Sequence, residues 1–169
     1  AIVLVLPLLP KSLVNIFSKK YVAGIDDNEV LKVIEKLNKN NQLATIDILG
    51  EHTCESKESL NITSNYINLL EKIDTRNLNC NLSIKPSHIG SDINYSTVFD
   101  NFKSILKTAS QFSNFIRIDM ESSKLTDTTI KLYNDLQSIS SNIGIVFQAY
   151  LHRTENDINR LNRHSNIRL

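Results

Sequence analysis

The sequence predicts an α/β fold, a (β/α)8 TIM-like barrel carried here as N-terminal helices, about four β/α units and the start of strand five. Three observations carry this expectation. From Ala44 onward, short β-branched runs alternate with amphipathic stretches, the pattern of βαβ units on a parallel sheet. The G-x-G-x-x-G signature that would favour an open doubly wound sheet is absent, and only four glycines occur. Polar residues also close the apolar strands about once per unit: Lys85 follows Asp47 by 38 residues, Asp119 follows Lys85 by 34, and Gln148 follows Asp119 by 29. A full barrel takes roughly 250 residues. About half of one is therefore expected, with a helical arm over 1–42 and the first half of a barrel over 43–169.

Each element has a local reason. The apolar start, Ala1 to Pro10, is about half of the ~20 residues that span a bilayer, and it lacks a basic leader and a cleavage site. It reads as a buried or docking segment, and the initial Ala suggests a chain that begins in mid-protein. Ser12 can cap a helix to about Val22, with Lys19 and Lys20 at its C-terminal end and Gly24 at its stop. Asp26 with Glu29 forms a capping box for a second helix, where Val30, Val33, Ile34 and Leu37 recur at helical spacing before the polar run Asn38 to Gln42.

The alternation then begins. Ala44 to Leu49 is the first strand, closed by Gly50, and a helix follows with Tyr66, Ile67, Leu70 and Ile73 on one face. Asn81 to Lys85 is the second strand, ended by Pro86. The next helix has the clearest stripe: Val98, Phe102, Ile105, Ala109 and Phe112. Phe115 to Met120 is the third strand. Thr126 can cap a helix carrying Ile130, Tyr133, Leu136 and Ile139. Ile143 to Gln148 is the fourth strand. Thr154 with Asp157 resembles a further capping box, and Asn166 to Leu169 opens a fifth strand.

Composition narrows the function classes. A formal net charge of +1, scattered Lys and Arg, 7% aromatic residues and no Trp give neither an electrostatic footprint for nucleic acid nor a base-stacking platform. Two isolated cysteines, Cys54 and Cys80, make no disulfide framework and suit a reducing, cytoplasmic setting. His52, His88, His152 and His164 show no metal-binding spacing, so no metal is expected.

In such barrels, active-site residues gather at the C-terminal ends of strands. Asp47 and Glu51 lie at the end of the first strand, and Lys85 ends the second, Asp119 the third and Gln148 the fourth. A polar group placed there costs a few kcal/mol unless it finds partners. Two readings of Lys85 and Asp119 stand side by side: a converging site, or a structural ion pair inside the barrel. Asp47 and Glu51 are assigned no catalytic role, and Tyr150 either packs or lines the site.

These strand ends carry a resemblance. Asp47-Ile48-Leu49-Gly50-Glu51, Ser83 to Gly90, Arg117-Ile118-Asp119-Met120-Glu121, Gly144 to Leu151 with Arg153-Thr154-Glu155, and Asn166-Ile167-Arg168-Leu169 resemble, in order, the strand motifs of the proline dehydrogenases. The resemblance implies a distorted (β/α)8 barrel with non-covalent FAD at its mouth. It implies oxidation of L-proline to Δ1-pyrroline-5-carboxylate by hydride transfer to the flavin, and electrons leaving to a membrane quinone. The setting would be the cytoplasm, peripheral at the inner face of the membrane. By position, Lys85 corresponds to the lysine near the proline carboxylate, and Asp119 to the acid beside that lysine and the flavin. Met120 and Val146 match apolar contacts to the flavin ring, Gln148 a flavin hydrogen-bonding side chain, and Arg168 the arginine near its reactive edge.

The family's arginine pair for the substrate carboxylate, and its FAD phosphate and adenosine contacts, are expected beyond Leu169. Residues 1–169 alone are therefore expected neither to oxidise proline nor to hold FAD tightly. Two other readings remain: a non-catalytic half-barrel acting only by association, and a Schiff-base aldolase using Lys85.

Overall fold

The computed structural model describes residues 22–161 and 165–169. The apolar start, His164 and nearly all of the helix expected over Ser12–Val22 lie outside them. The chain divides into two compact units, Ala1–Leu43 and Ala44–Leu169.

The first unit contains α1 (Asp27–Lys39). Asp26 caps it, its carboxylate accepting from the Glu29 N–H at 3.0 Å, while the Glu29 carboxylate accepts from the Ile25 N–H rather than from Asp26. Leu31 and Ile34 are the buried residues of α1, and Val33, expected on the inner face, is exposed.

The second unit alternates β1 (Ala44–Asp47), α2 (Ser56–Thr75), β2 (Cys80–Ile84), a 3-10 turn (Pro86–Ile89), α3 (Tyr95–Gln111), β3 (Ile116–Ile118), α4 (Thr126–Gln137), β4 (Ile143–Val146), α5 (Thr154–Asn159) and β5 (Ile167–Arg168). All five strands are parallel, in the order β1-β2-β3-β4-β5. A doubly wound sheet reverses its strand order at a switch point. This sheet never reverses, so it is of the TIM-barrel type.

Pleating sorts the side chains. In register across the sheet, Ile46, Leu82, Ile116 and Ile143 form one apolar row, and Ile84, Ile118 and Ile145 a second; all seven are buried. Burying a side chain of this size is worth about 1.5–3 kcal/mol. The amphipathic helices add Tyr66, Leu70 and Ile73 from α2, Val98, Phe102, Ile105 and Ala109 from α3, and Leu132, Tyr133 and Leu136 from α4 to the core. Ile139, expected on the inner face of α4, is 51% exposed because it lies past the helix end.

Three helices end on one plan. Asn41, Asn77 and Ser113 adopt positive φ after α1, α2 and α3. The next residue in each case sends its N–H back across the last turn: Gln42 to Leu37, Leu78 to Ile73 and Asn114 to Ala109, at 3.0, 3.0 and 2.8 Å. Asn and Ser thus serve where glycine is usual, in a chain with few glycines.

Two expected caps are corrected. Thr126 is the first residue of α4, not its cap, and its hydroxyl donates back to the Ser122 carbonyl. Thr154 likewise begins α5; its hydroxyl donates to the Gln148 carbonyl at 2.7 Å, and Asp157 accepts from the Arg153 guanidinium instead of capping.

Candidate active site

The polar face of the sheet carries the residues that alternate with the apolar rows. Asp47, Ser83, Arg117 and Gly144 share one register level, and Val146 pairs with Arg168 one level beyond. Lys85 and Asp119 lie immediately past β2 and β3, where the Asp119 N–H donates to the Ile84 carbonyl at 3.0 Å as the last rung. The expected positions therefore converge on the C-terminal ends of adjacent strands.

Lys85 is held by Asp47: Nζ donates to Oδ2 at 2.5 Å. Burial alone would lower the Lys85 ammonium, but the hydrogen bond and charge of Asp47 outweigh it, and its pKa stands above the ordinary lysine value. Asp119 accepts a very short hydrogen bond from the Ser83 hydroxyl. Burial raises the Asp119 carboxyl; the Ser83 bond and the charges of Lys85 and Arg117 pull down without cancelling it, while Asp47 adds to the rise. The Lys85 ammonium thus feels two carboxylates, Asp47 in direct contact and Asp119 through its charge, and the half-buried Asp119 is the one whose pKa is raised.

Arg117 pairs in register with Ser83 and Gly144 on the same face. It donates to the Thr45 hydroxyl at 3.5 Å and lies over the Phe115 ring, 5.7 Å from its centroid. Burial, then the charge of Arg168, holds its pKa below the usual arginine value. Gln148 donates to the Met120 carbonyl at 3.4 Å, which joins the ends of β3 and β4. Met120 is buried, Val146 half-buried and Arg168 exposed. Among the described residues no group of three or more His, Cys, Asp or Glu is placed to hold a metal ion.

Around this cluster the loops are pinned. His88 is buried, its Nδ1 3.5 Å from the Tyr66 hydroxyl and its ring edge-on to that ring at 6.1 Å. Burial pushes its pKa down, so it is neutral at pH 7. Gly50 lies directly against it: a Cβ there would sit 2.1 Å from His88 Nε2. His52 pairs with Asp92 at 2.7 Å and is raised chiefly by that hydrogen bond. Tyr150 is 79% exposed and Glu51 is also exposed.

Sequence reasoning left three residues of this cluster without a role: Asp47, which grips Lys85; Arg117; and Ser83. Period-two alternation could have found them, because all three fall on the face opposite the isoleucine rows.

Comparison with known proteins places the chain in a family. Residues 30–168 match the family described as Proline dehydrogenase. Proline dehydrogenase 1 of Bacillus subtilis (strain 168) is 30% identical over 144 residues, covering 85% of this chain and 48% of that protein. Proline dehydrogenase 2 of the same strain is 32% identical over 142 residues, covering 84% and 47%. The chain thus spans about half the length of the curated relatives it matches. Among solved structures, proline utilization A (PutA) from Bdellovibrio bacteriovorus, inactivated by N-propargylglycine, superposes with a TM-score of 0.76 at 22% identity, over 84% of this chain and 18% of that one. PutA from Corynebacterium freiburgense gives 0.70 at 21% identity, over 82% and 16%. At such identities these two likenesses speak for the fold.

Proposed function

The chain belongs to the proline dehydrogenase family, and from that premise we propose that it serves the flavin-dependent oxidation of L-proline to Δ1-pyrroline-5-carboxylate. The observation that carries the reading is the Asp47–Lys85–Asp119 cluster at the C-terminal ends of adjacent parallel strands, where barrel enzymes do their chemistry.

Lys85 is the substrate ligand: its ammonium offers two further protons to a carboxylate while Asp47 holds the third. Asp119, half-buried and bonded to Ser83, fixes the polar wall beside Lys85. The side chains at the ends of β3, β4 and β5 suit FAD. Half-buried Val146 and largely buried Met120 are the apolar contacts, while the Gln148 amide and the Arg168 guanidinium bring donors to its edges. When bound, FAD supplies the hydride acceptor. Arg168 and Gln148 favour negative charge developing at their side of the site, and Asp119 contributes to holding the cofactor. A quinone takes the electrons onward, and the protein works in the cytoplasm, peripheral at the inner face of the membrane. Among the described residues no helix is long and apolar enough to cross a membrane.

The test joins these 169 residues to the C-terminal half of the Bacillus subtilis proline dehydrogenase 1. The expected product is yellow and reduces dye in the presence of proline, whereas residues 1–169 alone do neither. Lys85→Met in the fusion should raise KM for proline about 10- to 100-fold, the loss of one charge-assisted contact, with FAD retained. A folded fusion that holds flavin yet ignores proline would refute the reaction. An unchanged KM in the variant would refute the role of Lys85.

A further inference from the structure

We propose that Glu121 is a positioning residue that fixes where Lys85 stands, by gripping the backbone and side chain of Ser87. Glu121 follows Asp119 by two residues, and Ser87 follows Lys85 by two, so the pair continues the β2–β3 register beyond the last backbone rung. Pro86 has no N–H and turns the chain out of the strand, so the ladder stops there. Glu121 takes the ladder's place. Its Oε2 accepts the Ser87 N–H at 2.8 Å, and its Oε1 accepts the Ser87 hydroxyl at 2.5 Å.

An ionised carboxylate is acceptor-only, which matches two donors from one residue. Ser87 is fully buried, so neither donor has water as an alternative. The Ser87 carbonyl accepts from the Thr53 N–H at 3.0 Å, which ties in the loop after β1, and His88 lies under Gly50 of that same loop. The loops after β1, β2 and β3 therefore meet at Ser87, two residues from the ammonium that Asp47 holds. Without Glu121 the turn after Pro86 keeps its own Lys85 carbonyl to His88 N–H bond but loses its tie to β3. Lys85 then moves relative to Asp47 and Asp119.

The importance of that placement for substrate rests on the proposed function, but its measurement does not. The full 169-residue chain, labelled with nitrogen-15 and with carbon-13 at lysine, is compared with Glu121→Ala, Glu121→Gln and Ser83→Ala. In Glu121→Ala the Ser87 amide should exchange about 10- to 100-fold faster, and the Lys85 ε-methylene resonance should move and titrate closer to an ordinary lysine. Glu121→Gln should restore most of both, because its amide oxygen still accepts the Ser87 N–H while the Ser87 hydroxyl turns to accept from Nε2. Ser83→Ala should leave the Ser87 amide unchanged. If Glu121→Ala does not fold, Ser87→Ala removes only the hydroxyl bond and should still move the Lys85 resonance. A Lys85 resonance unmoved while Ser87 exchanges faster would overturn the proposal and reduce Glu121 to a brace for its loop. Either result is independent of whether the fusion oxidises proline.

Discussion

Replacing Asp47 by Asn removes the charge facing Lys85 and keeps the shape of the side chain. The pair is short, and its side chains are 19% exposed at Lys85 and 34% at Asp47. It is neither sealed from water nor free in it. Its coupling should therefore lie between the exposed ion-pair limit of about 1 kcal/mol and the charge-assisted range of about 1.5–3 kcal/mol. We expect about 1–2 kcal/mol, read from a double-mutant cycle of Asp47→Asn and Lys85→Met by urea denaturation of the chain. The coupling also has a pH signature. The pKa of Lys85 is raised in the folded chain. Its contribution is thus complete below the unfolded lysine value of about 10.4 and fades as pH rises through the folded value. The cycle should give its full coupling at pH 7 and a smaller one at strongly alkaline pH. A coupling below about 0.3 kcal/mol at pH 7, or one that persists undiminished in alkali, would refute the reasoning.

Other outcomes follow from single features. Asp119→Asn should stabilise the chain at pH 7: burial raises the folded carboxyl above its ordinary value, so the wild type carries a penalty that grows as pH rises through that range. Denaturation curves of both proteins should converge in acid. Gly50→Ala should destabilise by about 1–3 kcal/mol, because its Cβ meets a buried His88 that cannot swing away; adding His88→Ala should relieve part of that loss, measured as a shift in urea midpoint. Phe102→Ala, at a fully buried position of α3, should cost about 3–5 kcal/mol and lower the thermal midpoint accordingly. Arg168→Met should raise the Arg117 pKa toward its ordinary value, seen in guanidinium resonances, since the charge of Arg168 contributes to depressing it.

The element order and the polar strand ends were legible because both rest on periodicity that local sequence carries. The expected strands ran one or two residues too far at their C-terminal ends. Ile48, Lys85, Asp119 and Gln148 all lie past the last paired residue, where the chain has left the ladder for a loop. Composition does not mark that departure, since Ile48 and Met120 are as apolar as any strand residue. Lys85 and Asp119 stood out as polar breaks in apolar runs. Their partners did not: that Lys85 meets Asp47, and Asp119 meets Ser83, depends on the register between strands more than thirty residues apart. The Thr126 and Thr154 caps misled for a related reason, because a hydroxyl near a helix start has several carbonyls within reach and the loop decides which one it takes. The proposed roles of Met120, Val146, Gln148 and Arg168 came from family resemblance rather than from the residues themselves.

The unbroken strand order has a consequence for how the chain assembles in time. Ala44 pairs with Cys80, Leu82 with Ile116, Ile116 with Ile143 and Ile145 with Ile167, so each pairing closes a loop of only one strand-helix unit. Loop-closure entropy grows slowly with length and is modest for each step. No strand must wait for a distant one, and each new unit docks on the edge left by the one before. A parallel sheet usually folds slowly because its partners are far apart along the chain; here growth can follow synthesis, each emerging unit adding its isoleucine row to the last. The same logic runs backward in unfolding. Amide protection should be greatest at β2, β3 and β4, which are paired on both sides, and lower at β1 and β5.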